Sequence, residues 1–418
     1  MRDYFKKNIM PWHPTLYGKS PSVFILLACV ATILCLIAFL PLGAEATPFF
    51  ASQTGKDCSY CHSVYPKLNE TGLAFMHNGY RLPGETFLEA KNLSSIPASL
   101  EATAAIDYDK LKSNGTTSTA SDIRLDNVTL SAGGAMGATG KVSTLGTIAV
   151  EQNPDGTFTT TIEKAFVQVN DLAGETGNGN LNVRAGQWEI GLPFLNPLET
   201  VIIGQQYLAE RDLGVFARNQ TAAEINGQIS MGEESGLTHR YSLGISSQTM
   251  TAGNQDRVQG IYATYALTIK EIVNLGVIYR GGKEASSDGT RDAGFNKYGV
   301  GAEVEVEPFV ISAGLFRADK SGENSKNDFL VEALYRSGAI PGLSAGARYD
   351  ADTQSGFHSV QSESLFGRYD ILTNVFTMLE YDHLYDKDHR LPVINGPVEF
   401  TNPNETENRI TLFLSTIF

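Results

Sequence analysis

From about Leu100 to Phe418 the chain alternates apolar and polar residues in short runs, and no other property restricts its possible folds as strongly. Examples are Thr161-Ile162-Glu163-Lys164-Ala165-Phe166-Val167-Gln168-Val169 and Val258-Gln259-Gly260-Ile261-Tyr262-Ala263-Thr264-Tyr265. Phe329 to Tyr335 and Val375 to Tyr381 repeat the pattern, and Gly, Asn, Asp and Ser clusters separate the runs. A period of two sends successive side chains to opposite faces of an extended strand. The spacing predicts about 16 antiparallel strands joined by turns.

A soluble sandwich or propeller and a membrane barrel both fit such a pattern. The barrel needs an outward apolar band, aromatic girdles, a polar lumen, short turns at one end and longer loops at the other. The closing segment, Arg409 to Phe418, favours the barrel. It puts Ile410, Leu412 and Leu414 on one face and ends in Phe418, the usual assembly signal of bacterial outer-membrane barrels. The abundant Gly, Tyr and acidic residues agree with it. The expected fold class is therefore mainly β: a transmembrane antiparallel barrel over residues 99–418. The mean hydropathy of -0.13 excludes a bundle of membrane helices. A formal net charge of -14 argues against nucleic-acid binding, which needs a basic face.

Ile190 to Gly214 does not read as a strand. It is a long connection, expected as an extracellular loop or as one folded into the lumen. Acidic stretches at Asp350-Ala351-Asp352 and Asp382 to Asp388 read as solvated loop tips, with attraction of cations at an outer surface the alternative.

The N-terminus has a different character. A basic stretch (Arg2, Lys6, Lys7, Lys19) precedes an uncharged apolar run, Val23 to Leu40, and then Ala44-Glu45-Ala46. This is the layout of a secretory signal peptide, expected over residues 1–46. The four cysteines are Cys29, Cys35, Cys58 and Cys61. The first two lie in the leader, so a processed chain keeps Cys58 and Cys61, both within Cys58-Ser59-Tyr60-Cys61-His62.

C-x-x-C-H is the attachment signature of c-type haem. Two thiols on one helical turn can each form a thioether to a haem vinyl group, and the adjoining imidazole sits beneath the iron. A zinc site would need two more ligands at ligand spacing. The expected cofactor is one covalent haem c on Cys58 and Cys61, with His62 as an axial metal ligand. Pro66 follows, and its carbonyl can accept the proton of the far imidazole nitrogen; alternatively it only stops a helix. A short helix near Leu68 to Gly79, capped by Asn69 or Thr71, supplies the nearby candidates for the sixth ligand. These are His77 (low potential) and Met76 (higher potential). They are neighbours about 100° apart on a helix, so at most one ligates. Packing for Met76 and solvation for His77 are the alternatives. The haem segment, residues 47–98, is too small to wrap a haem and form its own core, so it needs another surface.

Phe50-Ala51-x-x-x-Gly55, the C-x-x-C-H run, Tyr65-Pro66-Lys67-Leu68 and Phe75-x-x-Asn78-Gly79-Tyr80, followed by a barrel, resemble the fused monohaem cytochrome–porins of the bacterial outer membrane, a family that includes iron-oxidising proteins. The motif match covers residues 49–80, and the barrel matches in architecture. The resemblance implies a cytochrome segment placed in or at the lumen. It implies electron transfer from extracellular Fe(II), or another redox donor, to periplasmic electron carriers, with the outer-membrane lipid as a further partner. Electron transfer outward, a solute porin with a structural or gating haem plug, and a haem enzyme with an open iron position are the alternatives.

Overall fold

The computed structural model describes residues 49–82, 98–193, 208 and 220–417, apart from gaps at 114, 138, 154–155, 233, 249–256, 287–288, 355–356 and 387–404. All belong to one compact unit, Ala46–Phe418. The expected leader, residues 83–97 and Phe418 lie outside the described residues.

Three short helices and a small hairpin come first: α1 (Phe49–Thr54), α2 (Cys58–Cys61), β1 (His62–Val64), β2 (Lys67–Leu68) and α3 (Glu70–His77). The barrel strands follow as β3 (Ala98–Ser113), β4 (Thr116–Met136), β5 (Val142–Gln152), β6 (Phe158–Ala173), β7 (Leu181–Trp188), β8 (Gln220–Ser230), β9 (Leu237–Ser247) and β10 (Val258–Ile269). The second half comprises β11 (Val273–Ala285), β12 (Asp292–Val306), β13 (Phe309–Lys320), β14 (Lys326–Arg336), β15 (Leu343–Gln354), β16 (Phe357–Leu372), β17 (Val375–Asp386) and β18 (Glu405–Ile417). These sixteen strands form a closed barrel in sequence order, each antiparallel to its neighbours, and β18 pairs with β3 to close the ring. The expected fold class and strand number are both found.

The alternation sorts the side chains. On β13, Val310, Ser312, Phe316 and Ala318 are buried, while Phe309, Ile311 and Leu315 are exposed. On β14, Asp328, Leu330, Glu332 and Leu334 are buried, while Phe329 and Tyr335 are exposed. The inside mixes apolar with many polar and charged side chains, whereas the outside is largely apolar, unlike a water-soluble sandwich. Outward aromatic pairs decorate the wall, such as Tyr279–Tyr298 (5.5 Å between ring centroids) and Phe309–Tyr335 (5.4 Å). Among the described residues no helix is long and apolar enough to cross a membrane.

The two ends of the barrel differ. At one end the strands are joined by short turns at 137–141, 174–180, 231–236, 270–272, 307–308, 337–342 and 373–374, and β3 starts and β18 finishes there. The other end carries the long connections 189–219 and 387–404. In outer-membrane barrels the short turns face the periplasm.

One expectation is corrected and one choice between alternatives is decided. Asp350, Asp352, Asp382 and Asp386 are not loop tips: they lie within β15 and β17, buried on the lumen side. The connection after β7 turns inward wherever it is described. Ile190 and Leu192 are buried, the Pro193 carbonyl accepts from Asn274 Nδ2 at 3.0 Å, and the Leu208 N–H donates to Asp350 Oδ2 at 2.9 Å.

Leu365, outward and midway along β16, tests the lipid-facing assignment. Leu365→Arg is expected to destabilise the barrel by about 2–4 kcal/mol in vesicles. Urea unfolding of the vesicle-inserted protein measures this, and an effect within error would mean that this wall does not face lipid.

Candidate functional site

The C-x-x-C-H run forms the single turn α2, with Asp57 before it and His62 closing it through its N–H to the Cys58 carbonyl. Residues three apart on such a turn share a face. Both cysteines are free and half-buried, and burial pushes both thiols above the ordinary cysteine value. His62 Nδ1 lies 2.9 Å from the Pro66 carbonyl oxygen. A carbonyl only accepts, so Nδ1 carries the proton, and Nε2 is the unprotonated nitrogen of the neutral ring. This is the arrangement by which a ligating histidine has its ring orientation fixed by a second group.

α3 is held against this turn by its cap. Asn69 Oδ1 accepts from the Gly72 N–H (3.0 Å), the Asn69 N–H donates to the Cys61 carbonyl (2.9 Å), and Asn69 Nδ2 donates to the Tyr60 carbonyl (3.2 Å). A Cβ on Gly72 would meet the Cys61 carbonyl oxygen at 2.2 Å, so the close approach of α3 to α2 requires glycine. Gly79, with φ of 67°, ends the helix, as the sequence suggested.

Met76 and His77 face different surroundings. Met76 packs on the apolar group that includes Phe75, Tyr80 and Leu82 together with Leu145, Phe166 and Trp188 of the barrel. Phe50 stacks on Tyr80 at 4.9 Å and meets Phe75 edge-on at 5.0 Å. The His77 carbonyl accepts from Asn182 Nδ2 at 3.1 Å. Its ring is neutral: burial, then the Arg240 and Arg184 guanidiniums nearby, bring its pKa down to about 3.

The segment is bonded around the turn end of the lumen. Arg81 pairs with Asp171 of β6 at 2.5 Å, both side chains fully buried. Arg81 also donates to the Asn78 carbonyl and to Asn78 Oδ1. Lys67 pairs with Glu303 of β12 at 2.5 Å, and Glu70 pairs with Arg240 of β9. Burial alone would lower the Lys67 pKa; Glu303 and its acidic neighbours outweigh it and raise it. The Gly79, Ala74, Ser63 and Tyr65 carbonyls accept from Ser143 (β5), Gln228 (β8), Arg336 (β14) and Arg368 (β16), and the Tyr65 hydroxyl donates to Glu101 (β3) at 3.0 Å. These strands lie on all sides of the ring, so residues 49–82 plug the turn-end mouth. The anchors were not foreseen from the sequence: Arg81 and Asp171 are too far apart in the chain for either to signal the other. Charged residues such as Lys67 and Glu70, in a segment otherwise rich in apolar positions, were the available hint.

The donor set fits haem c: two free thiols on one turn and an adjoining imidazole whose Nδ1 is held by a carbonyl. Cys58, Cys61 and His62 would hold the group, with His77 or Met76 the candidates for a further ligand.

No known family profile matches the sequence, and no curated protein does. Solved structures do. An anion-selective porin from Comamonas acidovorans aligns over 78% of this chain and 100% of its own, with 13% identity and a TM-score of 0.56. The outer membrane channel DcaP of Acinetobacter baumannii aligns over 81% and 100%, with 13% identity and a TM-score of 0.54. Salmonella typhi OmpF, solved in complex with daunomycin, aligns over 78% and 99%, with 11% identity and a TM-score of 0.54. The likeness is one of fold: the chain has the barrel of bacterial outer-membrane porins, and its apolar wall is the surface such a barrel presents to lipid.

Removing one partner of a buried pair strands the other charge, at about 3–5 kcal/mol. Arg81→Met is therefore expected to loosen the plug while the barrel persists. In planar bilayers the variant should show larger and more frequent conductance steps than the parent chain; identical traces would mean that Arg81 does not hold the plug closed.

Proposed function

We propose that this chain is an electron conduit of the bacterial outer membrane, with haem c carried by its plug. Cys58 and Cys61 would hold the haem through thioethers, and His62 would ligate its iron. The observation that carries the reading is the His62 Nδ1 to Pro66 carbonyl bond, immediately after a turn bearing two free thiols. Bound there, haem c supplies a one-electron iron centre. The protein's own residues do the rest. Pro66 fixes the imidazole, Phe50, Phe75 and Tyr80 exclude water, and the pairs of Arg81, Lys67 and Glu70 hold the plug against the wall. His77 would supply the second ligand to the iron in this reading, with Met76 the alternative.

Position supports a contact on the periplasmic side. The plug closes the turn end, which faces the periplasm in this fold, and the loop end opens outward. Extracellular Fe(II) is the proposed donor, and a periplasmic carrier meets the plug at its exposed edge around Ser59 and Tyr60. The porin fold and the ion-paired plug favour a second reading, a solute porin gated or braced by a haem plug.

Proteoliposomes separate the two. Fe(II) added outside should reduce an acceptor sealed inside, and the paired change Cys58→Ser and Cys61→Ser should abolish this without changing solute flux. No internal reduction by the parent chain, with raised solute flux in the variant, would establish the gated porin instead. The axial ligand has its own test. His77→Leu should convert the iron from low to high spin while Met76→Leu leaves the visible spectrum unchanged; the reverse would assign Met76.

A further inference from the structure

We infer that Arg368 of β16 is a positioning residue for His62 and that its charge raises the reduction potential of the iron held there. The inference rests on the haem reading and adds to it a residue of the barrel wall. Arg368 Nη1 donates to the Tyr65 carbonyl, in the loop that joins His62 to Pro66. The guanidinium carbon lies 3.7 Å from the centre of the Phe376 ring and 5.8 Å from that of Tyr65. The Tyr65 ring in turn meets the His62 imidazole, with 5.0 Å between centroids and a tilt of 56°. The guanidinium is thus one ring removed from the imidazole.

Each contact restrains a different part of this loop. Pro66 holds the His62 ring through Nδ1, and Tyr65 meets the same ring through its own. Tyr65 is itself fixed at three points. Its hydroxyl donates to Glu101 of β3 at 3.0 Å, its carbonyl is held by Arg368, and its ring packs on a wall group that includes Phe366, Phe376 and Phe413. Arginine suits the position, because a planar guanidinium stacks on rings and still donates in its own plane. The turn before His62 lies in the same field: the charges of Asp370 and Arg368 both act on the Cys58 thiol.

Burial decides the sign of that field. Arg368 pairs with Asp370 at 2.8 Å, but the arginine side chain is 5% exposed and the aspartate 42%. Water screens a charge that faces it and leaves a buried one at nearly full strength. On its buried side the pair therefore acts as a net positive charge. Arg336, the other guanidinium at this loop, differs. It donates to the Ser63 carbonyl at 3.3 Å, yet Glu305 and Glu307 lie 2.9 and 3.4 Å from it and offset its charge. A cation near an iron favours the state with one more electron, so Arg368 moves the potential upward.

The test is the midpoint potential of the full chain in detergent micelles, read by spectroelectrochemical titration of the visible haem bands. Arg368→Met should make reduction about tenfold less favourable, a potential lower by about 59 mV. Arg368→Lys keeps the charge and should recover most of that shift; a lysine variant that shares the whole loss would reduce the effect to packing and overturn the inference. Asp370→Asn removes the half-exposed counter-charge and should move the potential the opposite way, and it decides the matter should Arg368→Met fail to fold. Haem-bearing Arg368→Met with the parent's potential, or Asp370→Asn with a potential no higher than the parent's, would overturn this inference alone. A parent chain without the visible bands of haem c would overturn it together with the haem reading.

Discussion

Lipid offers no partner to a backbone N–H or carbonyl, and this constraint dictates the molecule. An open sheet would expose a row of unpaired groups along each edge, so sixteen strands must close on themselves, as the β18–β3 pairing does. Closure in turn fixes where side chains go. With a period of two, every strand donates half its residues to lipid and half to an interior wide enough to need filling. The exposed Leu315, Leu365 and Leu379 and the buried Asp328, Glu332 and Glu380 are two halves of one requirement.

The interior solves the problem of the N-terminal segment. Residues 49–82 form three short helices and a small hairpin, too little to enclose a core. The lumen wall completes that core with Leu145, Phe166 and Trp188, and it meets the segment's buried charges with opposite ones at Asp171, Glu303 and Arg240. The usual objection to buried ion pairs is their desolvation cost. Here the walls are polar already, so the pairs take the place of groups that would otherwise face each other unmatched across an aqueous pore.

Much of this was legible in the sequence. The quoted runs at 161–169, 258–265, 329–335 and 375–381 all lie in strands, and Asn69 and Gly79 bound the short helix as expected. What escaped has a physical cause. Asp350 and Asp352 resembled a loop because a polar residue facing a lumen has the composition of one facing solvent. Their neighbours Ala347, Tyr349 and Ala351 carried too weak an outward signal to reveal a strand. The anchors escaped because Tyr65 to Glu101 and Arg81 to Asp171 are pairings of tertiary structure with no periodicity. The inward turn after β7 was expected as one of two possibilities, and its decisive contacts, Pro193 with Asn274 and Leu208 with Asp350, connect residues far apart in the chain.

The distribution of the plug's bonds has a mechanical consequence. Contacts to β3, β5, β6, β7, β8, β9, β12, β14 and β16 act as spokes from a hub to a rim. A hoop of this size resists stretching along its hydrogen bonds but flattens easily into an oval. Spokes in several directions remove that soft mode, so the periplasmic rim stays round. Lateral pressure from the surrounding lipids would then be borne unevenly along the barrel axis, and the stiff end is the one where the geometry of a few side chains has to be kept.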